Sequence, residues 1–299
     1  MKSLSSFINN DHFHWLELAL SAEKKGVSKL RSIKENVSQT YLSYDEIVRS
    51  INAPLPSSIF DEEELKQLKE SYIDLYAHPT VALKKILINK RKDHELEECP
   101  YCGNPTIPDT LDHFIPKTAL AEYAIYPNNL VPQCKFCAPI KGSSYIKNNE
   151  SLFLHPFYSA LLDTIIIEIK SSFRGGDYLF DVKFRSSAKN AIERKLIVNH
   201  ISSLKIKTRI ELYCYSEVKK WERKLSRKKF DIVTALQTRI NEYVHNEHTS
   251  NWELILYNSI LDEPAVIRHL KSIKPKVKKK RMASKKMLGE KTAGYLSIE

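Results

Sequence analysis

Two cysteine pairs, Cys99-Pro-Tyr-Cys102 and Cys134-Lys-Phe-Cys137, are separated by 31 residues in a chain with five cysteines in all. A Cys-x-x-Cys turn presents two thiolates to one ion, and two such turns complete a tetrahedral sulfur site. The stretch from 99 to about 150 is rich in Pro, Asn, Gly and Cys and has no regular apolar period. Such a segment cannot bury a core of its own and needs a staple. One structural Zn²⁺ on Cys99, Cys102, Cys134 and Cys137 is therefore expected. Cys214, among Leu212, Tyr213 and Tyr215, reads as an ordinary buried thiol.

The remaining totals narrow the class. With 299 residues the chain can form one large domain or two modest ones. Only seven glycines are present, which disfavours glycine-loop nucleotide folds and propellers. No apolar run approaches the roughly 20 residues that span a bilayer. The opening Met1-Lys2-Ser3-Leu4-Ser5-Ser6 lacks the apolar core of a secretion signal. Paired cysteines in a reducing compartment favour metal over disulfides, so a cytoplasmic protein with no membrane partner is expected. Of the net charge of +11, eight cations fall between Lys274 and Lys286 with no acid among them, leaving +3 for the rest. Long-range attraction for phosphate is thus concentrated in one segment, with Lys278, Lys279, Lys280 and Arg281 as nucleic-acid contacts.

Four regions follow along the chain. Residues 1–98 read as helical, with a helix from Asp61 to Tyr76 carrying Leu65, Leu68, Tyr72 and Leu75 on one face, and a second from Val81 to Lys92. Residues 99–160 hold the knuckles. Residues 161–273 begin with two β-branched and aromatic runs, 164–170 and 178–184, around a Gly175-Gly176 turn, which predicts a hairpin followed by long helices. Residues 274–299 form a basic tail too poor in apolar residues to fold alone. A basic cluster from Lys219 to Lys229 surrounds Trp221, so that helix is a further candidate for nucleic-acid contact.

Between the knuckles lie Asp112-His113-Phe-Ile-Pro116-Lys117 and Asn129-Leu130, and Lys141-Gly142 follows the second knuckle. Phosphodiester hydrolysis needs an attacking water, a base and a cation for the charge on phosphate. Histidine suits the base, and a hard ion such as Mg²⁺ or Mn²⁺ with oxygen or imidazole ligands suits the cation. On an extended strand Asp112 and His113 point to opposite faces and must do different work.

This pattern resembles the zinc-stapled branch of the HNH endonucleases over about 50 of the 299 residues. The resemblance implies an α+β chain: a ββα-metal core with a four-cysteine zinc staple, set in mainly helical flanks with one β-hairpin. It implies His113 as general base, Asp112 as ligand to Mg²⁺ or Mn²⁺, and Asn129 holding the loop that aims His113. Lys117 and Lys141 are candidate phosphate contacts, and His155, in a His-Pro-aromatic element, a candidate second ligand. The substrate implied is DNA, with RNA as the alternative, and products with 5′-phosphate ends. The layout is similar to effectors of Septu-like antiphage systems, which pair the nuclease with an ATPase.

One position departs from the pattern. Ala138 stands where the family normally has Asn or His to complete the divalent-metal site, and a methyl group ligates nothing. Intact surroundings favour an inactivated variant over a naturally weakened nuclease. The rival reading is a non-catalytic, zinc-stapled nucleic-acid-binding subunit.

Overall fold

Residues 1–23, 27–49, 55–92, 94–243 and 250–275 are described by the computed structural model. The tail from 276, with Lys278, Lys279, Lys280 and Arg281, lies outside the described residues. The chain is mixed α and β, with small antiparallel sheets of two strands each among the described residues. No helix among them is long and apolar enough to cross a membrane.

The first region folds as α1 (His12–Leu20), α2 (Val27–Ser32), α3 (Lys34–Arg49), α4 (Glu63–Lys66), α5 (Lys69–Ala77) and α6 (Val81–Lys92). The single helix expected from Asp61 to Tyr76 is broken into α4 and α5. The break is a tight turn in which the Leu68 amide donates to the Leu65 carbonyl at 2.8 Å, three residues back rather than four. α6 begins and ends where its apolar period predicted.

The knuckle region contributes β1 (Thr110–His113), antiparallel to β2 (Leu130–Gln133), and then α7 (Ala138–Lys141), one helical turn directly after the second knuckle. Asp112 lies opposite Val131, and His113 opposite Leu130. The short strands β3 (Ile146–Lys147) and β4 (Glu150–Ser151) follow.

The expected hairpin is β5 (Ile166–Arg174) against β6 (Asp177–Arg185). Its turn needs positive φ at both central residues, and Gly175 and Gly176 supply +61° and +90°. Tyr178 and Val182 are buried while Leu179, Asp181 and Lys183 are exposed, as period-two alternation requires. Five helices close the described chain: α8 (Ala191–Ser203), α9 (Ile206–Leu225), α10 (Ile232–Asn241), α11 (Trp252–Leu261) and α12 (Pro264–Ser272).

Trp221 corrects one expectation. It is buried on α9 against Phe230 and Tyr257, with the Lys224 ammonium 3.9 Å from its ring centroid. Lys219 and Lys220 are paired with Glu222 and Glu217. The aromatic on the basic helix serves the core, so it offers no stacking platform to a base. Apolar side chains from all three regions belong to one contiguous buried cluster, in which Cys214 takes part.

Candidate functional site

The four knuckle sulfurs converge. All four cysteines are buried and unbridged, and their Sγ atoms lie within 4.8 Å of one another. Cys99 to Cys137 and Cys102 to Cys134 are each 4.0 Å. Zn–S bonds of about 2.3 Å in a tetrahedron set sulfurs about 3.8 Å apart, so this cluster fits one zinc ion with a small contraction. Each knuckle is closed by its own backbone: the Cys102 amide donates to the Cys99 carbonyl at 3.2 Å, and that of Cys137 to Cys134 at 2.9 Å. Gly103 follows at φ +73°, and a β-carbon there would lie 2.1 Å from the Ser250 carbonyl oxygen. Only glycine lets the knuckle turn and the approach to α11 coexist.

The C-terminal helices grip this cluster through residues that no motif in the sequence marks. Arg209 of α9 donates from one guanidinium nitrogen to Cys137 Sγ at 3.3 Å and from the other to Cys102 Sγ at 3.5 Å. It also donates to the Leu204 carbonyl at 3.2 Å and lies 5.5 Å from the Trp252 ring centroid. The Trp252 indole donates to the Cys102 carbonyl at 2.7 Å. On the other side, His200 of α8 donates Nε2–H to the Tyr101 carbonyl at 2.7 Å. A tetrathiolate with Zn²⁺ would carry two net negative charges, and Arg209 supplies a half-buried cation facing it.

Asp112 and His113, at the end of β1, have separate surroundings. Asp112 Oδ2 is 2.8 Å from the ammonium of Lys141, whose side chain is fully buried (0% exposed, against 17% for Asp112). The contact is an ion pair off the hydrogen-bonding direction, since Oδ2 has no directed donor. Lys141 instead directs a hydrogen bond to the His113 carbonyl at 2.7 Å. Burial raises the Asp112 carboxyl while Lys141 draws it back, and burial lowers Lys141 against the pull of Asp112. This position corrects the expectation of a Lys141–phosphate contact: the ammonium is enclosed and already has its anion.

His113 donates Nε2–H to the Ala124 carbonyl at 2.9 Å, a bond that requires the proton on Nε2 because a carbonyl only accepts. Nδ1, left with its lone pair, has no partner among the described residues. Tyr76 packs edge-on against the ring at 4.5 Å. Burial pushes the imidazole down to about 4, so it is neutral at pH 7.

Asn129 is buried and fully used. Its Oδ1 accepts the Tyr44 hydroxyl at 2.8 Å and the Ile115 amide at 2.7 Å, while Nδ2 donates to the Ile115 and Tyr123 carbonyls at 3.0 Å each. Its own carbonyl accepts the Phe114 amide at 2.8 Å. These bonds fix the two residues that follow His113. His155 stands behind: its Nδ1 accepts the Phe157 amide at 3.1 Å, so Nε2 holds the proton and donates to Tyr44 at 3.1 Å. With both nitrogens engaged, His155 supports Asn129 through Tyr44 and has no lone pair for a metal.

A protein-held Mg²⁺ or Mn²⁺ site does not fit the donors present. Ala138 offers no ligand atom, His155 is committed, and Asp112 Oδ2 faces Lys141. That leaves Oδ1 of Asp112 as a single carboxylate oxygen, too few donors to hold a hard cation alone. Lys117 is half-buried with its ammonium 5.5 Å from the Tyr76 ring centroid, beside His113, and has no ion pair among the described residues.

No protein-family model matches the chain, and no solved structure matches it. A stretch of 62 residues is 34% identical to protein ea31 of Escherichia phage lambda, covering 20% of this chain. The chain thus spans about a fifth (21%) of the length of that curated relative.

Proposed function

We propose that this chain is a zinc-stapled nuclease scaffold of HNH type that acts on the phosphodiester backbone of DNA, with His113 as the group that takes the proton. The observation that carries the reading is the order of parts between two knuckles whose sulfurs converge. β1 ends in Asp112-His113, β2 pairs with it in register, and one helical turn follows the second knuckle. In this reading water loses a proton to His113 Nδ1 and its oxygen bonds to phosphorus. The bond from phosphorus to the 3′-oxygen breaks and that oxygen takes a proton from solvent water, leaving a 5′-phosphate and a 3′-hydroxyl, while His113 returns its proton to solvent. His113 is neutral at pH 7, as a proton acceptor must be, and Asn129 holds its loop. Ala138→Asn would give a divalent ion a second protein donor beside Asp112, and the ion would then supply charge neutralisation at phosphate.

A second reading, a nucleic-acid-binding subunit without cleavage, is favoured by two features: Asp112 faces an ammonium, and Ala138 brings no ligand. One assay separates the two. The chain, Ala138→Asn and Ala138→Asn/His113→Ala are incubated with Mg²⁺ or Mn²⁺ on plasmid DNA and on RNA, with zinc content and binding measured in parallel. The nuclease reading expects cleavage to rise by orders of magnitude in Ala138→Asn and to vanish without His113, with zinc and binding unchanged. Binding by every variant with cleavage by none would leave two explanations, the second reading or a nuclease that requires a partner protein. Cleavage that survives loss of His113 would refute the mechanism.

A further inference from the structure

α6 carries five cations, Lys84, Lys85, Lys90, Arg91 and Lys92, and no acid. They do not share one task. Lys90 turns inward, its ammonium 5.7 Å from the Trp15 ring centroid and 4.9 Å from that of Phe157, and burial pushes it down to about 8. Lys84 and Arg91 sit seven residues apart, two turns along one helical face, and both line a groove of about 410 Å³ between α6 and β1. Neither makes an ion pair among the described residues. Its remaining walls are suited to a sugar–phosphate chain. Leu87 and Leu111 give an apolar floor, and Thr110 contributes a hydroxyl that its bond to the Gln133 carbonyl holds in place. The acid of the groove, Asp109, accepts the Lys135 amide at 3.1 Å.

The groove also leads somewhere. Tyr76 lines it and is the same ring that packs edge-on against His113, with the Lys117 ammonium 5.5 Å from its centroid. Thr110 and Leu111 are the strand residues immediately before Asp112 and His113. A strand of nucleic acid lying along the groove past Lys84 and Arg91 would cross Tyr76 and arrive at the imidazole, near Lys117.

We infer that the α6–β1 groove is the track for the DNA backbone flanking the reacting phosphate, with Lys84 and Arg91 neutralising two phosphates. This rests on the nuclease reading, which assigns the centre at its end. The occupant is fixed by charge: unpaired cations over an apolar floor, opening on a group that handles phosphodiesters, select a polyanion rather than a protein face.

The test measures binding of a fluorescein-labelled duplex DNA to zinc-loaded full chain, without added divalent metal, over 50 to 300 mM salt. The parent, Lys84→Gln/Arg91→Gln and a charge-matched control on the hairpin, Lys170→Gln/Lys183→Gln, are compared. Two lost phosphate contacts reduce the slope of log affinity against log salt by about 1.8. That reduction is expected in the groove variant and not in the control. An equal reduction in both doubles would mean that net charge alone matters and would overturn the groove. An unchanged slope in the groove variant, with the parent still binding, would overturn the groove while leaving the nuclease reading intact. Failure of the parent to bind DNA at any salt in the range would overturn both. Circular dichroism and zinc content of the groove variant establish that it is folded.

Discussion

Replacing Arg209 by Gln tests whether the C-terminal helices contribute to the metal centre or only lean on it. The substitution removes three N–H···S bonds, at 3.3 Å to Cys137, 3.5 Å to Cys102 and a long 3.9 Å to Cys134, and the cation that faces the four sulfurs. Hydrogen bonds involving a charged group are worth about 1.5–3 kcal/mol net. Sulfur is a weak, diffuse acceptor, so the two shorter bonds together are set at about 1.5–3 kcal/mol, at or below the low end for each. That converts to a ten- to hundredfold loss of zinc affinity at about 1.4 kcal/mol per decade. Loss of a group that orients metal ligands costs the same range, about 10–100-fold, which is an independent route to the magnitude. The assay is competition for zinc with a chromogenic chelator under native conditions. Arg209→Lys serves as the intermediate case, keeping charge but losing the planar fork. Coupling is reciprocal, so stripping zinc should loosen the α9–α11 contact and alter the fluorescence of Trp252, whose indole holds the Cys102 carbonyl at 2.7 Å. A folded Arg209→Gln chain that retains zinc within twofold of the parent would refute the argument.

Two further substitutions probe β1 and the loop that follows it. Lys141→Met leaves Asp112 enclosed without its cation, and breaking a buried pair from one side costs about 3–5 kcal/mol; urea unfolding with saturating zinc should register it, with part regained in Lys141→Met/Asp112→Asn, and a loss below about 1 kcal/mol would mean the pair is effectively solvated. Asn129→Ala removes four side-chain hydrogen bonds from a fully buried site. At about 1 kcal/mol each, the expected loss in the same assay is about 4 kcal/mol, and a loss under about 1 kcal/mol would show that water replaces the amide.

What the sequence made legible was local. The knuckle spacing specified which sulfurs meet, the Gly175-Gly176 turn specified a hairpin, and the apolar period of α6 set its ends. The contacts that were not legible join residues far apart in the chain. Arg209 lies 72 residues from Cys137, and nothing near it in sequence marks it as a partner for sulfur. Trp221 among lysines reads equally as a nucleic-acid platform or as core, and only packing against Phe230 and Tyr257 decides. Lys141 after a knuckle reads as a surface cation because burying an ammonium is costly unless an anion waits for it; Asp112 supplies that anion from β1. His155 fell among the candidate ligands for the same reason: a histidine beside an aromatic turn does not reveal which of its nitrogens is already engaged.

These long-range contacts divide the support of the knuckle region between its two flanks. The C-terminal helices act on the sulfur end, through Arg209, Trp252 and His200. The N-terminal helices act on the strand end: Tyr44 of α3 donates to Asn129, Tyr72 of α5 donates to the Glu122 carbonyl, and Tyr123 donates back to the Thr40 carbonyl of α3. A segment that cannot bury a core of its own is thus held by helices α8, α9 and α11 around the four sulfurs, which fit a zinc ion, and by α3 and α5 near His113. Displacing α9 reaches the metal first, and displacing α3 reaches the aim of His113 through Tyr44 and Asn129 while the sulfurs stay in place. The large helical flanks therefore set two properties of the site separately, metal retention from one side and imidazole position from the other.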